Sequence, residues 1–171
     1  MKITNKFKII GFSLTFLLII LDQLFKFLAE KLLKPEGFIK FLDPILNFNW
    51  QINEGAAWGI FAGNKLILIG FTAIVLLVVC YLILFNKITD KFMVIFSCII
   101  IAGGFGNLID RIIQGYVIDY LQFGFFDFPV FNLADVCVTV GAIAFAIYYI
   151  FFYKSENDKI EKKKNGKLLN D

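Results

Sequence analysis

Four long charge-free apolar runs constrain this chain most: residues 9–21, 66–85, 92–109 and 136–153. A helix rises about 1.5 Å per residue, so about 20 apolar residues cross the hydrocarbon core of a bilayer. The second run has that length, and the third and fourth nearly do. The first reaches it only by continuing through Asp22, Gln23 and Lys26 to about Leu28. Charges placed there lie inside the membrane near one edge, where they are costly and mark candidate functional groups. Composition agrees. Of 171 residues, 59% are hydrophobic and only 18% charged, against about 25% charged in an average soluble domain. The polar surface needed to cover a water-soluble core is missing. The expectation is a membrane all-α bundle of four transmembrane helices, about 9–28, 66–85, 92–109 and 134–153, in a single domain over 1–153.

Lys2, Lys6 and Lys8 before the first run imitate the basic start of a secretory signal, but no A-x-A-like cleavage site follows. The segment therefore reads as a retained first helix. With four spans, residues 1–8, 86–91 and 154–171 share one side and hold 11 of the 17 Lys and Arg in 32 residues. The 70 residues of the opposite connections hold six. The positive-inside rule places both termini in the cytoplasm. The Lys-rich tail 154–171 is expected to be disordered and to face lipid headgroups, with no nucleic-acid partner.

The connection between the first two spans carries Asn47-Phe48-Asn49-Trp50-Gln51-Ile52-Asn53, an unbroken polar/apolar alternation that predicts a half-buried strand. Phe38-Ile39-Lys40-Phe41-Leu42 is placed to pair with it across Asp43-Pro44. A small extracytoplasmic β-sheet, about 38–61, is expected to lie as a cradle on the membrane surface. The connection between spans three and four reads as an extracytoplasmic loop with an interfacial aromatic cluster (Phe123, Phe125, Phe126, Phe128, Phe131).

The chain has no histidine, which excludes Ser-His and Cys-His nucleophile pairs, His-ligated metals and His acid–base catalysis. Ser13 and Ser97 lie near the cytoplasmic ends of their spans and Ser155 in the tail, which argues against a Ser-Lys pair with Lys26. The cysteines Cys80, Cys98 and Cys137 fall in spans without C-x-x-C spacing, so neither disulfides nor a metal site is expected. The scarce acidic and amide groups gather at the outer ends of the spans. Asp22 and Lys26 end the first, Asn107, Asp110 and Arg111 end the third, and Asn132 and Asp135 open the fourth, with Asp119 between the last two. Asp119 and Asp135 flank a loop short enough to bring them together. Two adjacent carboxyls share one proton and so supply a base and an acid at once. The same spacing also suits Asn132 as a helix cap, Asp135 as a complement to the helix dipole and Asp119 as a solvated side chain. Likewise Asp22 and Lys26, four residues apart, read as an intrahelical ion pair. The small residues Ala102, Gly103, Gly104 and Gly106 read as a close helix–helix contact.

Five short motifs occur in order. They are Asp22-Gln23-x-x-Lys26; Asn53-Glu54-Gly55-Ala56-Ala57-Trp58-Gly59; Gly106-Asn107-Leu108-Ile109-Asp110-Arg111; Gly115-Tyr116-Val117-Ile118-Asp119-Tyr120; and Phe131-Asn132-Leu133-Ala134-Asp135. Together they cover about residues 20–140, and the chain resembles the lipoprotein signal peptidases (signal peptidase II), a family of bacterial membrane aspartyl proteases. The resemblance implies that Asp119 and Asp135 are the catalytic pair. It places Asn53, Gly55, Asn107, Arg111 and Asn132 at substrate-site positions, with Asp22, Lys26 and Asp110 as supporting polar groups. It implies prolipoproteins with a diacylglyceryl-modified cysteine as substrates, cut just before that cysteine with no covalent intermediate. No cofactor or metal is implied. Cyclic-peptide inhibitors of the globomycin type and the phospholipid bilayer are the other implied partners, with the chain as a monomer in the bacterial cytoplasmic (inner) membrane. Glu54 and Ala102 depart from the family pattern, and neither touches the aspartates. The alternative is a non-enzymatic four-helix transporter or assembly subunit in which Asp22, Lys26 and Asp110 form an ion relay.

Overall fold

The structure is a computed structural model that describes residues 5–55 and 64–153. The stretch Ala56 to Gly59, the end of the expected sheet and the tail 154–171 lie outside the described residues. Among the described residues, four helices are long and apolar enough to cross a membrane. They are α1 (Asn5–Leu32), α2 (Lys65–Leu84), α3 (Lys91–Ile113) and α4 (Leu133–Tyr148), which continues as a π-helical turn through Tyr153. Each expected span is present. α1 runs 11 residues and α3 four residues beyond the C-terminal ends of their apolar runs, and in these stretches Asp22, Lys26 and Ala29 of α1 and Asp110 of α3 are buried.

The packing inverts that of a soluble bundle. On α1 the buried residues are Gly11, Thr15, Asp22, Lys26 and Ala29, which fall on one helical stripe of small and polar side chains. Its large apolar side chains, such as Phe16, Leu17, Leu24 and Phe27, point outward. In lipid, large apolar groups gain nothing by hiding, so interfaces go to small residues and hydrogen bonds. A Cβ on Gly11 would meet the Cys98 sulfur at 2.7 Å, and the Thr15 hydroxyl donates to the Cys98 carbonyl at 2.8 Å. α3 is the hub and touches the other three helices. Its small residues admit α4: a Cβ on Gly103 would overlap the Ala134 carbonyl oxygen. At the end away from the sheet, the Asp90 side chain caps α3 by accepting from the backbone of Phe92 and Met93. The Tyr148 hydroxyl donates to the same carboxylate at 3.1 Å, so α4 is fastened there too.

The sheet has three antiparallel strands in the order β1 (Phe38–Leu42), β2 (Leu46–Asn53) and β3 (Val117–Gln122). β1 and β2 pair as their alternation predicts, with Phe38 opposite Asn49. The third strand departs from expectation, since the start of the loop between α3 and α4 pairs with β2. The reason is burial. Val117, Ile118, Asp119 and Tyr120 are all buried, and a strand covered on both faces shows no period-2 alternation. Its entry is set by Gly115, whose φ of +88° ends α3 in the left-handed region that glycine alone adopts freely. The Gly115 N–H returns to the Asp110 carbonyl at 3.2 Å. The chain therefore turns from the end of α3 into the strand that carries Asp119 within four residues. After β3, the aromatic cluster is present: the Phe123 ring lies 4.9 to 5.7 Å from those of Phe125, Phe126, Phe128 and Phe131.

Candidate active site

Asp22 lies about 25 Å along α1 and Asn107 about 24 Å along α3 from their first residues, at the rise of a regular helix. Both points are at the sheet end of the bundle, where α4 begins. All ten residues singled out in the sequence converge there, drawn from α1 (Asp22, Lys26), β2 and the residues after it (Asn53, Gly55), α3 (Asn107, Asp110, Arg111), β3 (Asp119) and the start of α4 (Asn132, Asp135).

The centre is Asn132, which is fully buried. Its Nδ2 donates to Asp119 Oδ1 at 2.6 Å, to Asn107 Oδ1 at 3.1 Å and to the Ile118 carbonyl at 3.3 Å. Its Oδ1 accepts from the Asp135 backbone at 2.9 Å, and its own backbone N–H donates to Asp135 Oδ2 at 3.1 Å. This is a reciprocal capping box with an aspartate in the third helical position. The helix-cap reading of Asn132 and Asp135 is therefore correct as local structure, and the same two residues also join the cluster around Asp119. Asn107 Nδ2 completes the Asp135 shell by donating to Oδ1 at 2.7 Å. Asp119 receives its second donor from Asn53 Nδ2 at 3.0 Å. In the register of the sheet Asp119 faces Gln51, so Asn53 is its diagonal neighbour on the same face.

Asp119 is not the solvated side chain that its loop position allowed. It is 2% exposed. Burial, and then the facing Asp135 carboxylate, push its pKa up to about 7 against the donors Asn53 and Asn132 and the Lys26 cation. The carboxyl therefore keeps a proton several units above the pH at which a free aspartate loses it.

Behind the pair lies a buried ion cluster. Lys26 Nζ contacts Asp22 Oδ2 at 2.8 Å, Asp110 Oδ2 at 2.9 Å and Asn107 Oδ1 at 2.9 Å. The intrahelical ion pair expected for Asp22 and Lys26 is present and extends to α3. Asp22 Oδ1 also accepts from the Ala134 backbone at 2.9 Å, which ties α1 to the first turn of α4. Arg111 Nη2 donates to the Gly55 carbonyl at 2.6 Å, fixing the chain just after β2. Four carboxyls (Asp22, Asp110, Asp119, Asp135) thus face two cations (Lys26, Arg111), and a proton on Asp119 reduces the excess negative charge.

Two contributors, Gln23 and Gly106, were not among the expected site residues. Gln23 Nε2 reaches Asp110 Oδ1 at 2.9 Å, the Gly106 carbonyl at 3.2 Å and Asp22 Oδ2 at 3.3 Å. Its place inside the first motif was the available signal. Gly106 makes room for the cluster, since a Cβ there would lie 2.5 Å from Asp22 Oδ2.

Comparison with known proteins decides the family. Residues 14–152 match the family model for signal peptidase (SPase) II. The chain belongs to the signal peptidase II family. It is 39% identical to a lipoprotein signal peptidase of Clostridium tetani over 135 residues, 77% of this chain and 86% of that one. It is 33% identical to one of Staphylococcus aureus over 147 residues, 85% of this chain and 88% of that one. A bacterial membrane enzyme solved by the in meso method at 2.3 Å superposes with a TM-score of 0.77 at 29% identity, covering 91% of this chain and 93% of the other. Membership of the signal peptidase II family makes the chain a multi-pass membrane peptidase.

Proposed function

We propose that this chain is an aspartyl endopeptidase that removes signal peptides from diacylglyceryl-modified prolipoproteins, cutting just before the lipidated cysteine. The observation that carries the reading is the bridge through Asn132, which holds Asp119 of β3 and the Asp135 cap of α4 in one hydrogen-bonded cluster. In this reading Asp119 keeps the shared proton and Asp135 the charge. The charged carboxylate takes a proton from a water whose oxygen attacks the scissile carbonyl. The protonated carboxyl gives its proton to the carbonyl oxygen, and the attacked carbon becomes a tetrahedral diol with no covalent bond to the enzyme. On collapse the newly protonated Asp135 gives its proton to the departing amine as the C–N bond breaks, Asp119 takes the proton of one diol hydroxyl, and the pair returns to its starting state. Asn53, Gly55, Asn107, Arg111 and Asn132 contact the peptide or hold the pair in place, while Asp22, Lys26 and Asp110 support them.

The position fits such a substrate. The cluster sits at the end of four spans, beside an interfacial sheet, where a peptide meets a lipid anchored in one leaflet. Both termini face the cytoplasm of a bacterial inner membrane and the sheet faces outward, in accord with the distribution of Lys. The chain acts as a monomer, and cyclic peptides of the globomycin type compete for the groove. The polar groups gather at one end and do not line a path through the bundle, which disfavours the transporter alternative.

The test uses the purified chain in lipid nanodiscs with a prolipoprotein precursor, with and without its diacylglyceryl group. The expected product is a new N-terminus at the lipidated cysteine, formed from the modified precursor only. Equal cleavage of both forms, or cleavage elsewhere, contradicts the proposed substrate.

A further inference from the structure

Lys26 touches neither aspartate of the pair, yet it governs the residue that does. Its ammonium has three hydrogens and no acceptor capacity. Its hydrogen bond goes to Asn107 Oδ1 at 2.9 Å, while Asp22 Oδ2 and Asp110 Oδ2 lie against it as ion pairs at 2.8 and 2.9 Å. Lys26 is 2% exposed, so no water competes for these contacts. A carboxamide has two chemically opposite edges, and only its oxygen edge can face an ammonium. Asn107 must therefore turn its NH2 edge the other way, and that edge donates to Asp135 Oδ1 at 2.7 Å. With the orientation reversed, a carbonyl oxygen would face the carboxylate and an NH2 would face a cation.

We infer that Lys26 is a positioning residue for the peptidase reaction, acting through Asn107 to keep a hydrogen-bond donor on Asp135. The second contact on Asn107 Oδ1, from Asn132 Nδ2 at 3.1 Å, points the same way but is shared with Asp119 and the Ile118 carbonyl. That amide cannot hold the orientation as firmly as a dedicated ammonium. The geometry also explains why one cation is set between two carboxylates. Asp22 and Asp110 hold Nζ between two carboxylates as ion pairs, with its hydrogen bond directed at Asn107. Gln23, bonded to both carboxylates, braces them in turn. The charged groups around the pair are Lys26 and Asp22 from α1, Asp110 and Arg111 from α3, and the exposed Glu54 just after β2.

This inference rests on the peptidase reading above, and its test separates the two. Lys26→Met combined with Asp110→Asn removes the ammonium and one carboxylate, leaving the net charge of the cluster as in wild type. The Lys26 cation also lowers the Asp119 pKa directly, so the same two changes are made in an Asn107→Ala background, where a shift that acts through Asn107 vanishes and a direct charge effect remains. The pH profile of kcat/KM is measured on the lipidated precursor, and the infrared band of protonated carboxyl is titrated in the substrate-free protein. A donor to a carboxylate favours its charged form. The double variant is therefore expected to move the acid limb of the profile, and the infrared titration of the pair, upward by about one pH unit, with KM within about twofold. If that variant does not fold, Lys26→Gln with Asp110→Asn, which still bonds Asp22 but can offer an oxygen to Asn107, is expected to give the same shift. A folded variant whose acid limb and infrared titration match wild type would overturn the inference. Absence of cleavage by the wild-type chain would instead refute the peptidase reading, while the infrared titration still decides the role of Lys26.

Discussion

At the scale of single residues, the site is built from amides that hold carboxyls. Asn132 serves both aspartates with one side chain, so Asn132→Ala removes the α4 cap and the bridge together. Loss of a cap alone costs about 1 kcal/mol. The expected outcome is a larger loss of stability than that, with turnover down at least about a hundredfold, since a misplacement of about 1 Å can cost that much. Thermal unfolding and cleavage rates in nanodiscs measure both. Asp119 supplies a second prediction through its pKa near 7. The carboxyl is protonated in the fold over a range where the unfolded chain is ionised. The folded state thus binds more protons than the unfolded state between about pH 4 and 7, and stability falls as pH rises through that window. From this group the fall is on the order of 4 kcal/mol and levels off above pH 7. Activity that needs the proton is expected to fall on the alkaline side with a midpoint near pH 7 in kcat/KM. A rate unchanged to pH 9 would contradict this role for Asp119.

At the scale of elements, the glycines of α3 report how closely the helices must approach. Gly106→Ala places a methyl 2.5 Å from Asp22 Oδ2 and 3.1 Å from the Ala134 Cβ. Overpacking of this kind costs about 1–3 kcal/mol. Gly103→Ala meets backbone, which cannot swing aside, and is expected to cost more. Gly70→Ala on α2, where a Cβ meets nothing within 4 Å, is expected to be neutral or slightly stabilising. Melting temperatures are expected to fall in the order Gly70→Ala, Gly106→Ala, Gly103→Ala. The elements were unequally legible in sequence. The four spans could be read because lipid demands length and apolarity, and β1 and β2 because their alternation reflects one covered face. β3 could not, since a strand buried on both faces loses its period. Its partner β2 lies 64 residues or more away in sequence, so nothing local announces the pairing. The consequence for the site is direct, because β3 is what carries Asp119 inward.

At the scale of the whole molecule, the polar cluster, the sheet and the start of α4 share one end of the bundle. The cluster was only half legible in sequence. That Asp22, Asn107, Asp110 and Asp135 share one end of the bundle followed from their positions along the spans. Their connectivity did not, because a hydrogen-bond partner such as the Ala134 backbone for Asp22 depends on the packing of α1 against α4. Nor did the third edge of the cluster, Gln23, which reads in isolation as one more polar residue in a helix. Sidedness is tested by cysteine labelling. Lys40→Cys on β1 is expected to react with an impermeant thiol reagent in intact cells, whereas Lys87→Cys between α2 and α3 reacts only after permeabilisation. The reverse pattern would invert the proposed topology. The paired action of Asp119 and Asp135 is tested most directly by cleavage of a lipidated precursor with Asp119→Asn and Asp135→Asn singly. Each is expected to bind the precursor and to lose turnover by at least about a thousandfold, as removal of one partner of a catalytic unit does. Substantial turnover by either variant would contradict the dyad.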